Sequence, residues 1–478
     1  MKLSTLTVLS DSEIQAIHTA SLDILENCGV KILSPRMLTF LSEQGLDVHR
    51  DTQTVRFSRT SVEEALGHMP SQFDVFDREG AFAFTLGDGN SKIAAGHNAV
   101  FWVDTDTGQT RNSTVADVAL FSRICQELDA IDMIGIPVMP QDVPNPKATL
   151  LYGLAAVIEN STKPVFFSTE SAAVTRSCAA MLQAAFAGDL KTQAYGIGQL
   201  SPTSPLFWEQ GAIDAIMDLS GTGVPIAVLP EPNAGVSAPF TLAGLLTVNN
   251  AECLSGLVMT QMLRPGTKVL YANSWTTTDM RTGAALVGST ETSLCHVAGA
   301  QLARFYKVPS HTTAPNSDNH AHDEQNAWEK TFSTFTSVAS GHDLIVNCGM
   351  FATGMTCSHE QLIMDEEISA MSKRIAEGIA VNDDTIAQDL IEEIGPQGEG
   401  YLTSDHTMRW LRSKEYLMPR VSVRGPRGVW AAEGSKDTYQ QARQKTKEYA
   451  KLEAPSFSPE RRAQLREIVA QFDTPAAR

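Results

Sequence analysis

The sequence has 478 residues, with 37 Lys and Arg against 55 Asp and Glu, which gives a formal net charge of −18 at pH 7. Its 42% hydrophobic and 19% charged residues supply a large core and exclude disorder over most of the chain. The negative charge disfavours nucleic acid and anionic membranes as partners. The pattern contains neither a signal peptide nor an apolar run of about 18 residues, so it predicts a cytoplasmic protein.

Residues 1–90 predict an N-terminal extension of helices and short strands. Asp11 and Ser12 are placed to cap a helix that Gly29 ends, and residues 34–44 and 60–68 repeat helical spacing more briefly.

From about residue 92, short apolar runs alternate with amphipathic stretches. The runs are 93–96, 131–138, 165–169, 193–198, 226–230, 269–273, 309–313 and 344–349. Helical spacing occupies 114–128, 172–187, 206–219, 242–263, 291–306 and 324–339.

Eight strands alternating with helices match the count and length of a TIM barrel, whereas a doubly wound open sheet gives the same alternation with fewer strands. The expected fold class is therefore α/β, a (β/α)8 TIM barrel over residues 91–365 with the N-terminal extension. A helical C-terminal region, 366–478, is expected to pack on the barrel.

In such a barrel, functional side chains follow the carboxyl ends of the strands. These positions hold two tryptophans and several amides but no lysine, which disfavours a Schiff-base aldolase. The residues are His97, Asn98, Phe101, Trp102, Glu170, Gln199, Ser201, Glu231, Asn233, Ser274, Trp275, Asp279, Asn316, Asp318, Asn319, His320, His322 and Met350.

The aromatic positions suggest a cation site. The faces of Trp275 and of Phe101 or Trp102 suit a quaternary ammonium, although an aromatic side chain that only plugs the barrel fits equally well. Three interpretations fit Glu170 and Glu231. They are a paired catalytic acid and base, or a source of negative potential that favours a cation, or carboxylates at helix starts without a catalytic role.

The densest polar stretch is 311–323, with three histidines and two aspartates. Imidazole and carboxylate ligands suit zinc or iron. However, His320 and His322 lack the i, i+4 spacing of a helical metal pair, and a substrate contact or a solvated loop also fits this stretch.

Several motifs resemble the trimethylamine methyltransferase family of corrinoid-dependent enzymes, from about residue 10 to about 470. They lie at 23–30, 104–111, 237–244, 250–256, 261–266 and 358–362. The resemblance implies a TIM barrel that passes a methyl group from a methylated amine to the cobalt(I) of a corrinoid on a separate small protein. The trimethylamine branch carries a pyrrolysine, expected near Asn319. This sequence has none, which matches the branch that demethylates quaternary amines.

The expected substrate is thus a quaternary amine, glycine betaine first. Cobalt(I) is itself a strong nucleophile and the amine leaves neutral, so no catalytic acid, base or tightly bound metal is assigned. The resemblance and the strand positions together suggest His97, Gln199 and Met350 as corrinoid contacts. The substrate contacts expected are Phe101, Trp102, Glu231, Asn233, Trp275, Asn316, Asp318, Asn319, His320 and His322.

We also expect a homo-oligomer, with the amine and the corrinoid protein as partners. Two alternatives stay open. One is a zinc-dependent barrel methyltransferase or hydrolase that uses His320, His322 and a carboxylate, and the other is a betaine-binding protein without turnover.

Overall fold

Eight parallel strands close into a barrel in the computed structural model, which describes residues 6–169, 171–398 and 400–473. The barrel strands are β1 Lys92–Ala95, β2 Met133–Gly135, β3 Val165–Ser168, β4 Gly196–Leu200, β5 Ile226–Val228, β6 Val269–Asn273, β7 Ser310–Thr313 and β8 Leu344–Cys348. Strand β8 pairs with β1 and closes the ring. The predicted TIM barrel is confirmed, because each of the eight apolar runs overlaps one barrel strand.

A helix follows each strand. These helices are Val115–Glu127, Thr149–Asn160, Ala172–Ala185, Gln210–Leu219, Leu242–Leu263, Thr290–Tyr306, Glu324–Ala339 and His359–Glu377. Six match the predicted stretches. Helix Thr149–Asn160 was missed because its sequence, TLLYGLAAVIEN, is apolar almost all round and shows little helical contrast.

One helix among the described residues, Leu242–Leu263, is long and apolar enough to cross a membrane by length and composition. It is mostly buried, and the N-terminal helix packs on it, with the Ser21 hydroxyl donating to the carbonyl of Thr247. Core helices of globular proteins meet the same criterion.

The cap of the first helix in the N-terminal extension lies one residue earlier than predicted. Ser10, and not Asp11 or Ser12, caps the first helix, because Ser10 and Glu13 form a reciprocal capping box. Gly29 ends the following turn with φ 77°, and a Cβ there would lie 2.5 Å from a backbone oxygen. The helices are Asp11–Asp23, Pro35–Glu43 and Arg59–His68, with a π turn at Ile24–Cys28, and the strands are Val30–Ile32, Asp47–His49, Thr54–Arg56, Phe73–Phe76 and Phe82–Leu86.

The last two of these strands form a hairpin that fills the amino-terminal end of the barrel. Its Phe73, Val75, Phe84 and Leu86 share one buried cluster with side chains from the barrel strands, including Phe166. Polar chemistry inside the barrel is therefore confined to its carboxyl-terminal end, which we call the mouth. Short strands in the loops around the mouth are Phe101–Val103, Thr110–Arg111, Phe207–Trp208, Thr277–Asp279, Ala284–Leu286, Met350–Phe351 and Thr356–Cys357.

The C-terminal region is helical, as predicted. Its helices are Asp383–Ile386, Gln388–Ile394, Asp405–Trp410, Arg427–Ala432, Thr438–Tyr449 and Pro459–Asp473. The last barrel helix, His359–Glu377, runs across the expected boundary at residue 365. The division into three regions stays a prediction.

A fully buried ion pair ties the mouth loops to the helices behind them. Lys330 Nζ lies 2.9 Å from Oδ2 of Asp365, and neither side chain is exposed. Asp365 also accepts the N–H of Gly349 at 2.7 Å, and Lys330 donates to the carbonyls of Pro315 and Met350. The loops after β7 and β8 therefore share one electrostatic anchor.

Loss of one partner should strand a buried charge. We expect Lys330→Met to lower the free energy of unfolding by about 3–5 kcal/mol, measured by denaturant titration. The double variant Lys330→Met with Asp365→Leu should lose less than the two single variants combined. Arg281→Met, which removes an exposed partner of Asp279, is the control and should leave stability unchanged. A Lys330→Met protein as stable as the wild type would contradict the role of this pair.

Candidate functional site

Polar side chains line the barrel mouth. Alternation along the strands turns Ser168 on β3, Gln199 on β4, and His311 and Thr313 on β7 toward the interior. Gln199 Nε2 lies 3.2 Å from the Ser168 hydroxyl, and the Thr313 hydroxyl donates to that of Ser274 at 3.3 Å. We call this set of polar side chains the mouth ring. It consists of His97, Ser168, Gln199, Ser274, His311, Thr313, Asn316 and Asn347.

Two histidines of the mouth ring flank Phe166. The His97 ring meets Phe166 edge-on with centroids 5.5 Å apart, and the His311 ring is tilted at 5.4 Å. Burial lowers the pKa of His97 to about 4 and holds that of His311 well below its usual range. Both imidazoles are therefore neutral near pH 7.

A chain of amides orients His97. Asn316 Nδ2 donates to the Thr313 carbonyl at 2.6 Å, so its Oδ1 accepts from Asn347 Nδ2 at 2.9 Å. This leaves Oδ1 of Asn347 facing Nδ1 of His97 at 3.2 Å, which places the imidazole proton on Nδ1. Asn347 has φ 136°, at a bulge where β8 meets β1, and this strained backbone accompanies its place in the ring.

Three buried polar atoms of the mouth ring have no hydrogen-bond partner among the described residues. They are both ring nitrogens of His311 and Oε1 of Gln199. Leaving such an atom unsatisfied costs about 1–3 kcal/mol. Buried polar groups are normally paired, so this cluster is suited to a polar ligand.

Glu252 fixes the loop that follows β4. Its carboxylate accepts the Ser204 hydroxyl at 2.7 Å and the N–H of Leu206 at 2.6 Å. Burial raises the pKa of Glu252 to about 7. It lies within the 250–256 motif, and it positions the segment downstream of Gln199 without facing the mouth ring in any described contact.

The two tryptophans lie outside the mouth ring. Trp102 is fully buried against Phe121 and His359, with its ring 4.6 Å from the imidazole of His359. Trp275 is 1% exposed and packs on helix Thr290–Tyr306, where a Cβ at Gly299 would lie 2.8 Å from its Cζ2. Strand alternation directs both side chains toward the helices, so the structure does not place them beside the mouth ring, and their expected contact with the cation stays a prediction.

The loop after β7 is mostly used for structure. Asp318 accepts the backbone N–H groups of Val287 and Gly288 at 2.8 and 3.0 Å, which binds it to the loop after β6. Asn319 donates to Asp323, the N-cap of the next helix.

The histidines of this loop do not join the mouth ring. His320 is exposed. His322 stacks on Tyr439 at 4.7 Å, and burial lowers its pKa to about 4. Among the described residues, no group of three or more His, Cys, Asp or Glu side chains is arranged to hold a metal ion.

The remaining expected residues are dispersed. Phe101 is 46% exposed and Glu231 is exposed. Asn233 accepts the Thr278 hydroxyl at 2.6 Å, and Met350 is buried in the core. Glu170 lies outside the described residues.

The structure therefore brings together His97, Gln199 and Asn316 of the expected set. It adds Ser274, one of the residues that follow the sixth strand, and also Ser168, His311, Thr313 and Asn347, which the expected substrate and corrinoid contacts do not include. In β8 the sequence signal is one polar residue, Asn347, in an otherwise apolar strand, whereas all four residues of β7 are polar and buried.

A closed parallel barrel with polar groups at the carboxyl ends of its strands has the architecture of TIM-barrel enzymes. The pattern that describes trimethylamine methyltransferase (MTTB) matches residues 1–474. The chain belongs to this family of methyltransferases.

Individual relatives cover nearly the whole chain. Trimethylamine methyltransferase MttB of Desulfitobacterium hafniense is 31% identical over 467 residues, covering 97% of this chain and 93% of the relative. A glycine betaine methyltransferase of the same species is 29% identical over 469 residues, covering 97% and 96%. Among solved structures, monomethylamine methyltransferase MtmB of Methanosarcina barkeri is similar with a TM-score of 0.48 and 12% identity, covering 99% of this chain and 93% of that one.

The raised pKa of Glu252 predicts a pH-dependent stability. Because the folded-state pKa of about 7 exceeds the ordinary 4.5, the stabilisation by the neutral carboxyl is complete below pH 4.5 and is lost as the pH rises through 7. Relative to Glu252→Gln, wild-type unfolding free energy should fall by about 3 kcal/mol across that range, measured by denaturant titration at several pH values. The exposed Glu64→Gln is the control. A pH-independent difference would contradict the shifted pKa.

Proposed function

We propose that this enzyme transfers a methyl group from a small quaternary amine, glycine betaine first, to the cobalt(I) of a corrinoid carried by a partner protein in the cytoplasm. The observation that carries the proposal is the mouth ring, which is neutral, polar and incompletely hydrogen-bonded. Such a ring suits the carboxylate end of a zwitterion that also carries a permanent positive charge.

The carboxylate end is assigned to His311, Gln199, Thr313 and Ser274. A neutral His311 offers one N–H, and the two hydroxyls offer rotatable donors. The Gln199 amide can also be turned over. Its Oε1 then accepts a hydrogen bond from the Ser168 hydroxyl, and its Nε2 is free to donate to the ligand. A hydrogen bond to a charged acceptor contributes about 1.5–3 kcal/mol, so a few such donors suffice to select a carboxylate.

This placement orients the reacting group. With the carboxylate held at the mouth ring, the trimethylammonium group faces the open end, toward Phe101 at the rim. Aromatic faces attract such a cation without hydrogen bonds. The outward methyl group would then face a corrinoid docked over the mouth, which would supply the methyl acceptor.

The electrostatics of the ring match this chemistry. The amine leaves as a neutral species and the cobalt(I) supplies the nucleophile, so the chain's own task is to bind, orient and exclude water. His97 and His311 stay neutral near pH 7 and do not repel the cation. His97, Asn347 and Asn316 serve as positioning residues, because their polar groups bond to one another.

The rim of the mouth supports docking of the corrinoid protein on this face. Four exposed apolar side chains lie on the loops after four different strands, and we call them the apolar rim. They are Phe101, Phe240, Met280 and Met355. Phe240 and Met280 are 61% and 66% exposed, and a Cβ at Gly235 would lie 2.9 Å from the first and 3.5 Å from the sulfur of the second. Phe101 adjoins Met355, whose carbonyl accepts its N–H at 2.9 Å. Exposed apolar groups of this kind mark interaction sites.

Substrate choice tests the carboxylate end. With free cob(I)alamin as acceptor, glycine betaine should be demethylated, and trimethylamine turned over barely or not at all. His311→Ala and Gln199→Ala should each raise the KM for glycine betaine about tenfold, since each removes a donor to a charged acceptor. The exposed His68→Ala is the matched control. Equal turnover of tetramethylammonium would contradict the carboxylate end, and robust trimethylamine turnover would contradict the proposed substrate.

Docking is tested separately from chemistry. Phe240→Ser with Met280→Ser should raise the KM for the corrinoid protein about tenfold, because exposed apolar anchors dominate such interfaces, and should leave the KM for betaine with free cob(I)alamin unchanged. Phe332→Ser, on the outer helix Glu324–Ala339 and 64% exposed, is the control. Cross-links to the corrinoid protein found only at the amino-terminal end of the barrel would overturn this assignment.

A further inference from the structure

The C-terminal segment 379–436, which we call the arm, exposes many apolar side chains. Twelve of its large hydrophobic residues between 379 and 429 are exposed. Val381, Leu402 and Met418 are 72%, 83% and 69% exposed. Single exposed apolar residues are ordinary, but this density over some fifty consecutive residues is typical of an interaction surface.

The helices of the arm gain little support from the rest of the chain, whereas the Glu367 carboxylate holds the backbone of residues 420–422. The arm's four α-helices are four to seven residues long, and none of them has a buried residue. Helices shorter than about 12 residues are marginal in water unless packing stabilises them. The arm therefore needs a surface to pack on.

Charge is divided sharply along the arm. Residues 378–408 contain seven acidic residues and no Lys or Arg, whereas residues 409–427 contain six basic residues and one acidic residue. Among the ion pairs of the described residues, one, Arg409 with Asp384, joins these halves within a copy. Asp389, Glu393, Arg412 and Arg424 are all exposed. The arm thus carries both halves of a complementary surface.

The position of the arm separates it from the reaction. Arg374, near the end of helix His359–Glu377, pairs with Glu415 of the arm at 3.0 Å. Residues 416–420 line a cleft with Asp129 and Ala130, which precede β2. This part of the arm is therefore anchored near the amino-terminal end of the barrel, whereas a corrinoid protein has to reach the mouth.

We propose that the arm pairs with the arm of a second copy of this chain, with the acidic half of each copy lying on the basic half of the other. A two-fold axis makes both contacts identical, and pairing covers the exposed apolar side chains of both copies. Because the arm carries both halves of the complementary surface, a second copy of this chain is sufficient to cover it.

Paired charge reversals test this directly. Asp389→Lys, Glu392→Lys and Glu393→Lys together place positive charge against the basic half, and Arg412→Glu, Lys414→Glu and Arg424→Glu place negative charge against the acidic half. Each triple variant should raise the dimer Kd at least about tenfold in sedimentation velocity. A one-to-one mixture of the two variants should restore the dimer, because each copy then meets its opposite.

The control is Glu63→Lys with Glu64→Lys, a reversal on the exposed face of helix Arg59–His68. It should leave the dimer Kd unchanged. Hydrogen exchange of the wild type provides a measurement without substitutions, with protection of residues 379–436 expected to rise with protein concentration. A wild-type monomer at all concentrations, a dimer that survives both reversals, or protection that is independent of concentration would overturn the proposal.

Discussion

The mouth of this barrel depends on one buried ion pair. Lys330 and Asp365 lie on consecutive barrel helices, and both have lost their contact with water. The cost of removing two charges from water is offset only when each has further hydrogen bonds, and here those bonds come from Pro315, Gly349 and Met350. Asn316 directly follows Pro315, and Asn347 lies two residues before Gly349. The anchor thus sets the backbone from which the amide chain starts.

The amide chain explains why the ring is neutral. Each amide uses its donors and acceptors on its neighbours, which leaves His97 with a fixed proton and no carboxylate partner. Burial without a counter-charge then favours neutral imidazoles. A ring of neutral imidazoles and amides is a poor general acid, which agrees with the proposed transfer to a corrinoid on a partner protein.

The sequence predicts the barrel well, because eight apolar runs at regular spacing are a strong signal. It predicts the site less well. Trp275 stands just past the last residue of β6, so position alone puts it at the mouth, yet alternation along the strand turns it toward Gly299. His311 was visible within a polar stretch, but whether it points inward depends on barrel register.

Two further features are invisible to pattern reasoning. Lys330 and Asp365 each lie within a helix, where a charged residue is ordinarily solvent-exposed, and only the packed structure shows that they meet. The turn of Asn347 into the ring accompanies a bulge in β8, and a bulge has no clear mark in a single sequence.

The most direct test of the account is a crystal structure of the enzyme with glycine betaine. The account predicts the carboxylate within hydrogen-bond distance of His311 and Gln199, and the trimethylammonium group turned toward the open end of the barrel. A betaine bound with its cation inward, or bound away from the mouth ring, would contradict it.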